Sequence, residues 1–83
     1  MSEPVRWSTL EARLSLSELP AFHRTFLRLH RPELPVDELP LRRVHQYVQQ
    51  TLHRLVREGQ ARRLEDDFEL LPEAIPAPYR RPP

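Results

Sequence analysis

The chain contains no cysteine, no lysine and only one glycine among its 83 residues, and each shortage removes a class of function. Without cysteine there is no disulfide framework, no thiolate nucleophile and no zinc–sulfur centre. A single glycine cannot supply a glycine-rich phosphate loop. Apolar runs are short, and the start Met1-Ser2-Glu3-Pro4-Val5-Arg6-Trp7 has no apolar core of a signal peptide, so a cytoplasmic protein without a membrane partner is expected. A chain of this length buries only about 60 to 65% of its unfolded surface. That argues for one compact domain without a spacious pocket, hence no enzyme and no small-molecule substrate.

All thirteen basic residues are arginine, and they come with ten prolines, a bias that resembles proteins of GC-rich genomes. The net charge of +1 is too small to imply a nucleic-acid partner, so any such argument rests on where the charges lie. They are unevenly placed. From Leu39 to Arg57 there are four arginines, three glutamines, two histidines and no carboxylate, whereas the other nine arginines share the rest of the chain with all twelve acids.

Wound at about 100° per residue, this stretch puts Arg42, Arg43, Gln46, Gln49, Gln50, His53, Arg54 and Arg57 on one side of a helix. Leu41, Val44, Val48, Leu52, Leu55 and Val56 take the other. Arginine forks fit guanine, glutamine amides fit adenine, and further arginines neutralise phosphate. Any arginine-rich amphipathic helix has a polar outer face, but such faces usually mix in glutamate for i,i+4 pairs. Here the acid is missing.

Around this helix the pattern predicts a mainly α domain with a small β-hairpin. Residues 1–16 read as a short helix from Ser8 or Thr9 to Leu14, with a competing strand-like alternation at Ala12, Leu14 and Leu16. Ser17 caps a helix carrying Leu19, Phe22, Phe26 and Leu29 at three- and four-residue spacing, with Pro20 harmless in its first turn. Two prolines break residues 31–36, leaving Leu34 and Val36 to tuck in as an extended link, and Asp37 offers a new N-cap for one turn from Glu38 to about Leu41 that either stops near Arg42 or merges into the long helix. Gly59 stands where a left-handed residue would end the long helix. Gln60–Leu64 and Phe68–Leu71 form the hairpin, divided by Glu65-Asp66-Asp67, with Leu64, Phe68 and Leu70 packed on the helices. The proline-rich segment 72–83 reads as an extended tail with little core.

Other chemistry finds little support. His23, His30, His45 and His53 include no i,i+4 pair, which leaves no metal site, and no cofactor is implied. Asp66 and Asp67 share one turn and do not form the spaced carboxylate pair of a hydrolase. Trp7 is expected to cover the core, with packing across a dimer interface as the lesser alternative, Tyr47 to be half-buried with its hydroxyl free for phosphate, and Tyr79-Arg80-Arg81 to belong to a disordered end, with a contact to DNA or a partner groove as the lesser alternative.

The segment Thr51-Leu52-His53-Arg54-Leu55-Val56-Arg57-Glu58-Gly59-Gln60-Ala61-Arg62-Arg63 resembles the recognition-helix end, glycine stop and first wing strand of the winged helix-turn-helix superfamily of bacterial and phage regulators. The resemblance covers about Ser17 to Leu71 and implies a three-helix domain of residues 17–71 that binds double-stranded DNA as a transcriptional regulator. It implies base reading by Arg43, Gln46 and Gln50, with phosphate contacts from Arg42, Arg54, Arg57, Arg24 and Arg28 and from the wing residues Arg62 and Arg63. The acidic wing tip is repelled by phosphate, so the helix carries most of the contact. About five or six phosphate contacts bind weakly at physiological salt, which favours a homodimer joined through residues 1–16. The rival reading is a protein-docking module that uses the acidic wing and the proline tail; RNA is a further possible partner of the basic helix.

Overall fold

The computed structural model describes residues 3–80. The domain combines three helices with a three-stranded antiparallel sheet. In chain order they are β1 (Val5–Arg6), α1 (Trp7–Ala12), α2 (Leu19–His30), α3 (Leu41–Arg57), β2 (Ala61–Leu64) and β3 (Asp67–Leu70), with single 3₁₀ turns at Val36–Glu38, Pro72–Ala74 and Ala77–Tyr79. The sheet order is β1-β3-β2, so β3 is central. Leu70 faces Val5 on one side and Ala61 on the other.

Each helix forms where apolar residues recur at helical spacing. In α2 the buried set is Phe22, His23, Phe26 and Leu27, while Leu29, expected inside, is 47% exposed. Ser17 does not cap α2; the Ser15 hydroxyl instead donates to the Glu18 carboxylate at 2.7 Å, just ahead of the first helical residue. In α3, Val44, Val48, Thr51, Leu52 and Leu55 face the core, and Thr51 satisfies its buried hydroxyl by donating to the Tyr47 carbonyl at 2.6 Å.

The link from α2 to α3 corrects the expected short helix at Glu38–Leu41. A 3₁₀ turn occupies Val36–Glu38, Asp37 caps nothing and pairs with Arg28, and Leu39 and Pro40 are extended. The chain therefore bends before Leu41, and α3 is one unbroken helix. Pro40 serves as its N-cap, where a missing N–H costs nothing.

α3 ends in a Schellman arrangement: the Gly59 N–H donates to the Val56 carbonyl at 3.2 Å and the Gln60 N–H to the Leu55 carbonyl at 2.9 Å. Gly59 has φ of 80° and open space around its missing Cβ. Gly59→Ala therefore meets no clash and is expected to cost only the left-handed backbone penalty, about 1 kcal/mol. Urea denaturation measures it, and a loss above roughly twice that would show that the site is crowded.

Both chain ends depart from expectation. The N-terminal segment contributes to the core: β1 extends the sheet, and Trp7 and Leu10 are buried. The short helix does form, but it begins at Trp7 and ends at Ala12, and no strand runs through Ala12 to Leu16. The segment after Leu71 is no extended tail as far as Arg80: Ala74 and Ile75 are fully buried and Pro76 is buried beside them. No helix among the described residues is long and apolar enough to cross a membrane.

Candidate nucleic-acid interface

The outer face of α3 is exposed at Arg42, Arg43, Gln46, Gln49, Gln50, His53 and Arg57. Arg42 and Arg57 lie 15 residues apart, roughly 22 Å along the axis, and the three amides and His53 fill the space between. Neither arginine has an ion-pair partner among the described residues. No carboxylate stands on this face until Glu58 at its end.

Arg43 belongs to the flank. Its guanidinium donates to the Gln46 amide oxygen at 3.2 Å and to the Tyr47 hydroxyl at 3.4 Å, and its carbon lies 5.5 Å from the Tyr47 ring centroid. Arg31 approaches the same ring at 5.5 Å. The Tyr47 ring is half-buried as expected, but its hydroxyl accepts from Arg43 and is not free. Arg31 also donates to Glu33 at 2.6 Å, which holds that carboxyl below the usual glutamate range.

The hairpin adds one cation to this surface. Arg63 lies opposite Phe68 in register, with its guanidinium 5.7 Å from the ring centroid, and His53 meets the same ring edge-on at 5.2 Å. Phe68 thus joins α3 to β2, and Arg63 extends the cationic face. Alternation along the strand turns Arg62 to the other side, where it donates to its cross-strand neighbour Glu69 at 2.8 Å.

Four of the residues expected at phosphate are engaged elsewhere. Arg24 donates to the carbonyls of Val36 at 3.1 Å and Leu39 at 3.0 Å, clamping the link before α3. Arg28 pairs with Asp37. Arg54 donates to the His30 carbonyl at 2.8 Å and lies 3.6 Å from Glu58. Arg62 is the fourth. Each is taken by a carbonyl or carboxylate distant in sequence or across the sheet, which a single-helix view does not reveal. Arg80 donates to the Ile75 carbonyl at 2.9 Å and Tyr79 packs on Phe22, while Arg81 lies outside the described residues.

At the start of β3, beside the hairpin turn, Asp67 faces α1. Its carboxylate accepts from the Ser8 backbone N–H at 3.1 Å, from the Ser8 hydroxyl and from its own neighbour Phe68 N–H at 2.8 Å. It therefore satisfies an N–H in the first turn of α1 from across the fold. Burial alone would raise its pKa; the hydrogen bonds from Ser8 and Phe68, with help from Arg6, outweigh that and hold it below the usual aspartate value. A depressed carboxylate contributes stability that is present above its unfolded pKa and lost as pH falls through its folded one. Asp67→Asn is accordingly expected to cost about 1 kcal/mol at pH 7, a loss that shrinks as the pH falls through the acid range. Urea denaturation across that range checks it, and a loss that does not shrink in acid would sink the assignment. No family model, curated protein or solved structure matches the chain.

Proposed function

We propose that this protein binds double-stranded DNA through the outer face of α3, as a small winged-helix-like transcriptional regulator. One observation carries the reading: an exposed helix face about four turns long that bears arginines and amides and no acid. The element order supports it, since the longest helix runs straight into a hairpin whose Arg63 continues the same cationic surface. In this reading Gln46, Gln49, Gln50 and His53 meet base edges, while Arg42, Arg43, Arg57 and Arg63 meet phosphate.

Four phosphate contacts predict a log–log salt slope of about −3 to −4 on duplex DNA. Fluorescence anisotropy with a labelled random duplex measures it, and Arg57→Ala is expected to reduce the slope by about one unit while weakening all sequences alike. Absence of binding at low salt would refute the reading. Contacts this few also favour two copies on one duplex, which sedimentation of the complex counts.

A second reading is supported by the exposed turn residues Glu65 and Asp66, which have no ion-pair partner among the described residues and would be repelled by phosphate. There α3 docks on an acidic protein surface and the turn on a basic one. The same titration separates the two.

A further inference from the structure

Of the exposed residues of α3, Gln46 lies most nearly opposite the buried stripe of Val44, Val48, Thr51, Leu52 and Leu55 when the helix is wound at about 100° per residue. It also stands in the second turn, toward the end at which a recognition helix meets base edges. Its amide is tied down. The Arg43 guanidinium donates to its Oε1 at 3.2 Å through Nη1 and to the Tyr47 hydroxyl at 3.4 Å through Nη2. Tyr47 is the anchor of this chain of contacts, because its ring is half-buried and the guanidinium carbons of Arg31 and Arg43 each lie 5.5 Å from its centroid. Gln49 and Gln50, exposed on the same helix, have no such tie among the described residues.

A guanidinium carries donors only, so the amide atom that meets Arg43 has to be the oxygen. The two protons of the Gln46 amide nitrogen are left for whatever α3 meets. That changes what this glutamine can read. A free carboxamide matches adenine, accepting from N6 on its oxygen and donating to N7. With the oxygen engaged, the outward group is a donor, and it suits guanine, whose N7 and O6 are both acceptors. At adenine the N6 amino group would meet a second donor.

We infer that Gln46 reads guanine in the major groove through N7 and O6, with Arg43 as its positioning residue, so that Arg43 decides which base this glutamine selects. The inference rests on DNA binding by α3 and names the base preferred at one position.

Selection of sequences from a random duplex pool by the full chain at low salt, followed by anisotropy on the selected duplex, tests it. The position whose preference Gln46→Ala abolishes is expected to hold guanine, about tenfold over adenine. Inosine there keeps N7 and O6 and lacks only the minor-groove amino group, so affinity is expected to stay the same; 7-deazaguanine lacks N7 and is expected to weaken binding at least about threefold. Arg43→Ala loses a phosphate contact and weakens every duplex, but a purely electrostatic role would leave the order of bases intact. Release of the Gln46 oxygen is instead expected to turn the preference to adenine. Wild-type preference for adenine at that position, guanine still preferred by Arg43→Ala, loss of affinity with inosine, tolerance of 7-deazaguanine, or no position affected by Gln46→Ala would each overturn the inference while DNA binding stands. Absence of binding to any duplex at low salt would overturn both.

Discussion

Ile75→Ala is expected to remove about 2 to 5 kcal/mol of stability, and ending the chain after Leu71 is expected to leave it unfolded. Ile75 is fully buried, as is Ala74 before it. The segment is also latched by polar contacts. The His30 imidazole donates through Nε2 to the Ala74 carbonyl at 2.6 Å, Arg80 closes on the Ile75 carbonyl at 2.9 Å, and the Tyr79 ring meets Phe22 edge-on at 4.8 Å. Burial disfavours the charged form of His30 and Arg54 adds to that, so its pKa lies below the ordinary histidine value despite the bond to Ala74. A domain of this size holds roughly 4 to 12 kcal/mol in total. Losing the Ile75 side chain therefore takes a large share of it. Urea denaturation followed by circular dichroism measures the loss, with the exposed Pro78→Ala as a control expected to stay within about 0.5 kcal/mol. An Ile75→Ala loss no larger than that of the control would show that the terminal segment is an appendage.

What could be read in advance follows the range of each interaction. The helix α3 was legible because its buried positions recur at three- and four-residue spacing over many turns and Gly59 marks its end. The hairpin was legible from two short runs around a turn-forming acidic cluster, and Glu65 adopts the positive φ of 26° that such a turn demands. β1 was not, because two residues have no periodicity; Val5 and Arg6 become a strand only because β3 presents an open edge. Ile75 was hidden for the same reason, as one apolar residue among prolines looks like a linker until Ala74 meets His30. The cationic face was visible, whereas the arginines that serve the fold were not. Arg24 reaches carbonyls 12 and 15 residues away, and spacing on one helix carries no trace of that.

Trp7→Ala is expected to be the most damaging single substitution near the N-terminus, at about 3 to 5 kcal/mol. The Trp7 ring is 6% exposed and lies 5.0 Å from Phe22 and 4.8 Å from Phe26, centroid to centroid, so its removal opens a cavity against two large neighbours on α2. Those contacts also hold α1 in place for Asp67, whose bonds to Ser8 join that helix to the sheet. Collapse of α1 would therefore cost the capping interaction as well, a coupling that a double-mutant cycle of Trp7→Ala with Asp67→Asn would register as a combined loss smaller than the sum. Trp7→Phe keeps an aromatic ring in the gap and is expected to cost about 1 kcal/mol. The prediction also separates two roles for residues 1–16. If the segment is an arm that joins two copies, the Trp7→Ala loss depends on protein concentration; if Trp7 belongs to its own domain's core, the midpoint shift is the same at any concentration. Thermal unfolding of the wild type and Trp7→Ala at two concentrations a hundredfold apart distinguishes them, and the core contacts of Trp7 predict the concentration-independent result.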